Sequence, residues 1–291
     1  MNNGLFTHAG DERQTRVTPS GHHVRMLNAE APLPTPWSRR RWLLSAGATA
    51  LAGCASPPGP QPQDDALARS AWARATDLDG MHAAGEWTHY RYGNRRPTDY
   101  SPTQREGRPA VHAVSHAGNS TLRLPLQPKP LQPGTRLRFS WWVPALLPEA
   151  NLRDKTTDDA VVRIILSFDG DHSGWTQRDH MLSNLVQLVT GEPLPDSSLM
   201  YVWDNREPVG AVIDNPHTRR IRKLVVQQGP GRLHQWVEHE RDVWRDFQQA
   251  FGTPPGPLTG LGIMTDSNNT GADAQAWFGP LSLRTGASFA G

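Results

Sequence analysis

The chain has 291 residues, enough for one large domain or two small ones, and its 26 Gly and 26 Pro exclude a protein built mainly of long helices. The formal net charge is +2, but the first 53 residues carry six Arg against three acidic residues, which leaves 24 basic and 25 acidic residues in the rest. This near-neutral balance argues against nucleic acid as a partner, and the single cysteine, Cys54, excludes an intramolecular disulfide.

A short apolar segment near the N-terminus has the features of an export signal. Three arginines at 39–41 precede the 12 residues 42–53. That segment is too short to span a bilayer as a helix and has the length usual for the apolar part of a secretory signal. The letters SRRRWLL resemble the twin-arginine export signal, with Arg39 and Arg40 as the arginine pair.

The residues Leu51-Ala52-Gly53-Cys54 resemble a bacterial lipobox. Small residues before Cys54 admit a signal peptidase, and the cysteine thiol accepts a diacylglycerol whose chains enter the membrane. The alternative is a buried Ala-rich helix with an incidental cysteine. We expect an export leader over residues 1–53, a lipidated Cys54 and a Pro-rich tether over 54–69. The protein would then be a membrane-anchored lipoprotein of the cell envelope, facing the periplasm.

Residues 70–291 are predicted to form a single all-β domain. Short apolar or aromatic runs alternate with turn signals such as QPGT and QQGPGR, and TRLRFSWWV alternates with the period of a strand. Many short strands with regular turns indicate a β-sandwich or jelly roll. The predicted strands are Trp87–Tyr92, Ala110–Ser115, Ser120–Leu126, Thr135–Val143, Ala160–Phe168, Leu199–Asp204, Ile221–Gln227, Leu233–Glu238, Leu258–Thr265 and Ala274–Arg284.

Two segments carry helical patterns. Thr176–Thr190 places most of its apolar residues on one side and is followed by Gly191. Glu240–Phe251 has apolar residues at helical spacing and is followed by Gly252 and Pro254. These helices are predicted to cover sheet edges or one end of the sandwich.

The segment FDGDHSGW is the best metal candidate in the sequence. Asp169, Asp171, Ser173 and Gly174 match the first positions of a calcium loop, where oxygen ligands alternate and Gly permits the bend. The bidentate Glu of such loops is replaced by His180, so a calcium ion would need another carboxylate. The alternative is a polar turn in which Asp and Ser cap the next element. No other cofactor is predicted.

The segment IMTDSNNTG, before Trp277, is the main candidate for binding a ligand. The side-chain oxygens of three residues could accept hydrogen bonds from sugar hydroxyls or coordinate a cation: Asp266, Asn268 and Asn269. Trp203 and Trp277 could provide aromatic platforms. The alternative is a turn held by local side-chain-to-backbone bonds.

Two further segments have candidate ligand contacts. In MYVWDN, Trp203 and Asp204 could face a ligand, or Trp203 could fill the core beside an Asx turn. In HTRRIRKLVVQQ, Arg222 could contact an anionic saccharide or phosphate, or could belong to a solvated face that protects the sheet edge.

The sequence contains no recognised catalytic fingerprint. Glycoside hydrolysis needs two carboxyl groups that flank the scissile bond. Three pairs are available, Asp158/Asp159, Glu238/Glu240 and Asp266/Asp273, and nothing favours one of them. We therefore expect a binding protein rather than an enzyme.

Several stretches resemble the bacterial domain-of-unknown-function family 3047. They lie between about residues 155 and 280 and read FDGDHSG, LMYVWDN, NPHTRRIRKLVVQQG, ERDVWRDFQQAFG and GIMTDSNNTG…AWFG. The resemblance implies a jelly roll of the carbohydrate-binding, galactose-binding-like kind and a cell-envelope location, and it implies no particular chemistry.

The sequence favours non-catalytic binding of a glycan or another cell-envelope component. The alternatives are a glycoside hydrolase or polysaccharide lyase on the same fold, and a structural or assembly lipoprotein. A membrane contact is expected through the lipid anchor.

Overall fold

The structure is a computed structural model that describes residues 62–190 and 193–285. The predicted leader with Arg39 and Arg40, and the predicted lipidation site Cys54, lie outside these residues. Within them, no helix has both the length and the apolar character needed to cross a membrane.

The described residues form thirteen strands and four α-helices. The strands are β1 (Thr88–Arg91), β2 (Asp99–Arg105), β3 (Arg108–His116), β4 (Ser120–Lys129), β5 (Arg136–Trp142), β6 (Arg163–Phe168), β7 (Ser197–Asp204), β8 (Val212–Asp214), β9 (Ile221–Gln228), β10 (Trp236–Asp242), β11 (Leu258–Met264), β12 (Asp273–Phe278) and β13 (Ser282–Arg284). The helices are α1 (Pro62–Ala68), α2 (Ala71–Arg74), α3 (Gln177–Thr190) and α4 (Val243–Phe251).

The strands pair into two sheets. One has seven strands in the order β1-β4-β11-β6-β7-β9-β8, and the other has six, in the order β10-β5-β12-β3-β2 with β13 beside β5. The pair β7 and β9 is parallel and the other paired strands are antiparallel. This confirms the predicted all-β sandwich.

The core lies between the two sheets. The alternation in β5 sends Leu137, Phe139 and Trp141 inward, and all three are buried. From the seven-stranded sheet, Tyr201 and Trp203 meet them, with the Phe139 and Tyr201 rings stacked at 5.5 Å. Burial of these large rings is the main stabilising contribution of the sandwich.

The helices α1 and α4 add to the core at the sheet edges, whereas the prediction that α3 also covers the sandwich is wrong for its apolar side, because Met181, Leu185 and Leu188 are exposed. Phe247 of α4 packs on Phe168 with ring centroids 4.6 Å apart. This helix starts three residues later than predicted because Asp242, the last residue of β10, caps it through the Arg245 amide, and Gly252 in the left-handed region ends it. Leu67 of α1 is buried in the core, so folded structure begins inside the segment predicted as a tether.

Two features of the sheets differ from the sequence prediction. The strand β2, DYSPTQR, has no apolar alternation and contains Pro102; it is stable because an edge strand pairs on one side only. The predicted strand Ala274–Arg284 is two strands, since the chain breaks at Gly279-Pro280.

The outer faces of the two sheets are covered differently. The segment 144–161, here called the covering segment, lies over part of the seven-stranded sheet. Its Leu152 and Ala160 form a second apolar cluster with sheet residues Val202, Ile213 and Val225. On the six-stranded sheet, the outward residues include exposed polar side chains on every strand of the β10-β5-β12 part. We call this outward surface of the six-stranded sheet the open face.

A half-buried histidine, His239, predicts how stability depends on pH. The His239 ring lies 5.0 Å from Phe139 and 4.9 Å from Trp141, between centroids. Burial, with the charges of Arg241 and Arg232, lowers its pKa from 6.5 to about 4, and burial lowers the pKa of His89 to about 4 as well. Between those values the unfolded chain binds protons that the folded chain does not, so stability should fall as pH drops from 6.5 towards 4.

Each histidine should contribute at most about 1.4 kcal/mol per pH unit to the slope of the free energy of unfolding against pH. Urea unfolding of the full-length chain across this pH window measures it. The variant His239→Phe should flatten the slope by roughly the share of one histidine. If the variant and the natural chain lose stability in parallel, His239 is not the titrating group.

Candidate functional site

The open face carries a line of aromatic side chains that crosses four neighbouring strands. Strand register places His112 of β3 opposite Trp277 of β12, Trp277 opposite Trp142 of β5, and Trp142 opposite Trp236 of β10. With neighbouring strands roughly 4.8 Å apart, this aromatic row is about 14 Å long. Ser101 of β2 is opposite His112 and extends the row to the edge of the sheet.

The rings of the row contact one another. His112 is stacked on Trp277 with centroids 4.1 Å apart and planes 6° apart. Trp142 meets Trp277 edge to face at 5.1 Å, and His234, from the turn before β10, meets Trp142 edge to face at 5.7 Å. These contacts fix the rings in place and preorganise the surface.

The next row across the open face consists of small side chains. Ala110 and Ser140 flank the position of Gly279, whose amide donates to the Ser140 carbonyl. Any side chain at Gly279 would collide with Ser140 Oγ. Small residues therefore leave a shallow floor beside the aromatic row.

Two arginines reach across this floor to the aromatic row: Arg105 is the last residue of β2, and Arg108 is the first residue of β3. The Arg105 guanidinium carbon is 3.1 Å from the Trp142 ring centroid and 3.9 Å from that of Trp277. The guanidinium carbon of Arg108 is 4.6 Å from the Trp236 centroid. Cation–π attraction holds both groups on the rings, and desolvation lowers the pKa of Arg105 from its ordinary value.

Hydrogen-bonding groups border the row on both sides. Trp142 Nε1 donates to Glu106 Oε1 at 3.1 Å, and His112 Nε2 lies 3.1 Å from Gln275 Oε1. Burial lowers the pKa of His112, which keeps its ring neutral near pH 7. The open face thus combines a partly exposed aromatic surface, in which Trp142 is only 7% exposed, with donors and acceptors at its margin. Sugar rings and hydroxyls require such a combination.

One of the predicted ligand residues, Trp277, lies in the aromatic row. Trp203 is instead 2% exposed, and its Nε1 donates to the Gly229 carbonyl at 3.0 Å within the core. Asp204 Oδ1 accepts from the amides of Arg206 and Glu207, both at 2.6 Å, as in the predicted Asx turn.

Asp266 lies beneath the covering segment and binds a buried arginine. Arg163, 4% exposed in its side chain, donates from Nε to Asp266 Oδ1 at 2.9 Å and from Nη2 to Oδ2 at 3.1 Å. Asp266 Oδ1 also accepts from the Ala160 amide at 3.0 Å. Burial raises the pKa of Asp266. This side chain joins the covering segment to the sheet and has no access to solvent ligands.

Other charges complete the same network. Arg163 Nη2 donates to Asp158 at 3.1 Å, and Lys223 Nζ donates to the other oxygen of Asp158 at 2.6 Å and to the Leu152 carbonyl at 2.9 Å. Burial alone would lower the pKa of Arg163, but the carboxylates of Asp266 and Asp158 raise it. The polar residues under the covering segment are thus paired with one another.

The neighbouring amides take part in the same attachment. Asn268 lies 2.7 Å from the Asn119 amide, and the backbone amide of Asn269 donates to Asp159 at 3.2 Å. Asp159 also accepts from the Thr270 amide and hydroxyl. A recess beside Trp203 with a volume of only about 10 Å³ is lined by Asp159 and Asp204, whose oxygens already accept hydrogen bonds from backbone amides.

The remaining predicted site residues lie elsewhere. Arg222 pairs with Asp214 at 3.2 Å, near the edge of the seven-stranded sheet. Asp171 caps a short 3₁₀ helix through the Ser173 amide at 2.8 Å, and Asp169 accepts from the next amide. These two aspartates follow the C-terminal end of β6, whereas Asp266 lies beside the N-terminal end of that strand. Among the described residues, no three His, Cys, Asp or Glu side chains converge as metal ligands.

The sequence prediction missed most of the aromatic row. Strand alternation in TRLRFSWWV does place Trp142 on the face opposite Trp141, which is a usable signal. Nothing in the sequence indicates that His112, Trp236 and Arg105 are brought to the same place, since that depends on strand order.

Comparison with known proteins identifies the family. The family model described as "Protein of unknown function (DUF3047)" matches residues 85–282. This chain belongs to the DUF3047 family. The match confirms the resemblance seen in the sequence, and the aromatic row lies entirely within the matched part of this DUF3047 protein. A comparison with curated proteins finds no match.

Two solved structures are similar to the DUF3047 chain. One is the family 11 carbohydrate-binding module of the cellulosomal cellulase Lic26A-Cel5E of Clostridium thermocellum, at 6% identity and a TM-score of 0.36, covering 72% of this chain and 97% of that one. The other is the xyloglucanase domain of NopAA, a type three effector from Sinorhizobium fredii, in complex with cellobiose, at 11% identity and a TM-score of 0.35, covering 69% and 93%. At TM-scores this low, neither identifies a ligand for the DUF3047 protein.

Proposed function

We propose that this DUF3047 protein is an exported, lipid-anchored protein of the cell envelope that binds a glycan on its open face without chemically altering it. The observation that carries the proposal is the aromatic row of His112, Trp277, Trp142 and Trp236. Aromatic rings pack against the apolar faces of sugar rings, and a short oligosaccharide can follow a row of this length.

The margins of the row support the same function. Arg105, Arg108, Glu106 and Gln275 offer donors and acceptors within reach of a chain lying on the rings. An open sheet surface also accepts the middle of a long polymer, whereas a closed pocket accepts a small molecule or a chain end.

The carboxyl groups support binding over catalysis. A general acid needs a raised pKa beside the bond that it cleaves. Within the described part of the chain, the carboxyl group with a raised pKa is Asp266, under the covering segment on the other sheet. On the open face, Glu106 accepts from Trp142 and Glu238 pairs with Arg108.

A glycan array probed with the purified full-length chain tests this proposal. We expect retention on one or a few related glycans, and product analysis by mass spectrometry should find the retained oligosaccharides unaltered. Cleavage of a bound glycan would favour the hydrolase or lyase alternative. Failure to retain any glycan on a broad array would favour the structural or assembly lipoprotein.

The anchor has its own test. Export and lipidation are supported by the SRRRWLL and Leu51–Cys54 motifs. The substitution Cys54→Ala removes the thiol that accepts the lipid, so it should move the protein from the membrane fraction to the soluble periplasmic fraction, with loss of labelled fatty acid. A natural chain that carries no fatty acid would contradict the anchor and leave glycan binding standing.

A further inference from the structure

Arg105 is a cation of the open face without a direct ion pair, and the charge of the neighbouring Glu106 acts on it only at longer range. Within the described residues its guanidinium makes no hydrogen bond and no ion pair; it contacts the rings of Trp142 and Trp277. Its Nε atom is shielded from solvent and unbonded. The side chain as a whole is partly exposed, so its charge is solvated in the free protein and can pair with a ligand anion.

The other arginines of the open face are paired. Arg108 pairs with Glu238 and also donates to Ser140 Oγ at 3.1 Å. Arg138 and Arg136 both pair with Glu240. The carboxylate next to Arg105 in the chain, Glu106, accepts from Trp142 Nε1 instead. The open face therefore has one guanidinium whose charge its own carboxylates leave without a direct partner.

The position of Arg105 suits it to receive an anion. The guanidinium lies over the two central rings of the aromatic row, one of which, Trp142, is only 7% exposed, so a sugar bound at the centre of the row would contact Arg105 rather than these rings. Stacking fixes the plane of the group, so that less conformational freedom is lost when its nitrogens form bonds. A planar guanidinium binds a carboxylate through two parallel N–H···O bonds, which neutral hydroxyls cannot match in strength.

We propose that the glycan bound on the open face is acidic, with a uronic acid residue whose carboxylate pairs with Arg105. This inference rests on the proposed glycan binding and adds the class of ligand. The outer members of the aromatic row, His112 and Trp236, would contact the flanking sugars, and Arg105 would select the polymer by charge.

The test compares acidic and neutral forms of the same glycans. Oligosaccharides of polygalacturonate, alginate and hyaluronan are each paired with the form in which the carboxyl groups have been reduced to alcohols, with cellohexaose and xyloglucan oligosaccharides as further neutral ligands. Titration calorimetry with the full-length chain should show binding of at least one uronate and about tenfold or more weaker binding of its reduced form, as expected for loss of a charge-assisted pair.

Variants then assign the selectivity to Arg105. Arg105→Met keeps an unbranched apolar side chain over the rings and should reduce uronate affinity to that of the reduced form. Arg105→Lys keeps the charge without the planar guanidinium, so its uronate affinity should lie between that of the natural chain and that of Arg105→Met. Arg138→Met, an exposed arginine on the same sheet that is paired with Glu240, is the matched control and should bind as the natural chain does.

Each outcome is decisive. Equal affinity for acidic and reduced forms, or binding of the neutral oligosaccharides alone, would overturn the acidic specificity and leave glycan binding intact. Unchanged uronate affinity in Arg105→Met would overturn the role of Arg105. Binding of none of these oligosaccharides, acidic or neutral, would count against both the inference and the proposed function.

Discussion

Substitution of Asp266 by alanine is expected to destabilise the folded chain by about 3–5 kcal/mol, the usual cost of removing one partner of a buried ion pair. The reason is that Arg163 would keep its charge beneath the covering segment with the two hydrogen bonds to Asp266 gone. The Ala160 amide would also lose its acceptor. Urea unfolding of the full-length chain, followed by intrinsic tryptophan fluorescence, measures the change.

Asp273→Ala is the matched control for this substitution. Asp273 is also paired, with His116, but its side chain is 80% exposed. Exposed pairs contribute at most about 1 kcal/mol because water screens them. Comparable losses in both variants would show that burial of the Asp266 pair is not what makes it important.

Substitution of Trp277 by alanine is expected to weaken glycan binding by about 2–4 kcal/mol, roughly 30-fold to 1000-fold. Trp277 is an inner member of the aromatic row, so its loss opens a gap in the proposed binding surface. It also removes the partner of the stacked His112 ring and one of the two rings under Arg105. The glycan retained on the array is titrated against both chains by calorimetry.

Trp175→Ala controls for the loss of a tryptophan as such. Trp175 stacks on His172 and donates from Nε1 to Asp196, before α3 and away from the open face. Its substitution should leave affinity unchanged. The proposed binding surface is wrong if Trp175→Ala weakens binding as much as Trp277→Ala, or if Trp277→Ala binds normally while remaining folded by circular dichroism.

The sandwich could be predicted from the sequence because apolar and polar residues alternate along its strands, as expected when one face of a strand is buried and the other is not. In TRLRFSWWV the alternation identifies Leu137, Phe139 and Trp141 as a buried set, and the structure confirms it. The strand β2 could not be found this way, because an edge strand with a solvated face has little apolar periodicity to detect.

The candidate site was harder to predict because it depends on strand order. Alternation distinguishes the two sides of a strand, but not which side is the interior or which outer face is covered. Asp266 illustrates the limit: its polar neighbours suggest a binding loop, whereas the structure pairs it with Arg163, distant in sequence. Lys223 is a similar case: it is fully buried in β9 because the covering segment supplies Asp158 as its partner.

The aromatic row draws its four members from segments that are widely separated in the chain, at positions 112, 142, 236 and 277. A deletion of one residue inside β5 would turn Trp142 inward and bring Trp141 to the surface, because side chains alternate with a period of two. The proposed binding surface therefore forms only when these strands are correctly aligned. No single hairpin or short fragment can carry it, and length changes within these strands would be tolerated far less well than changes in the turns that join them.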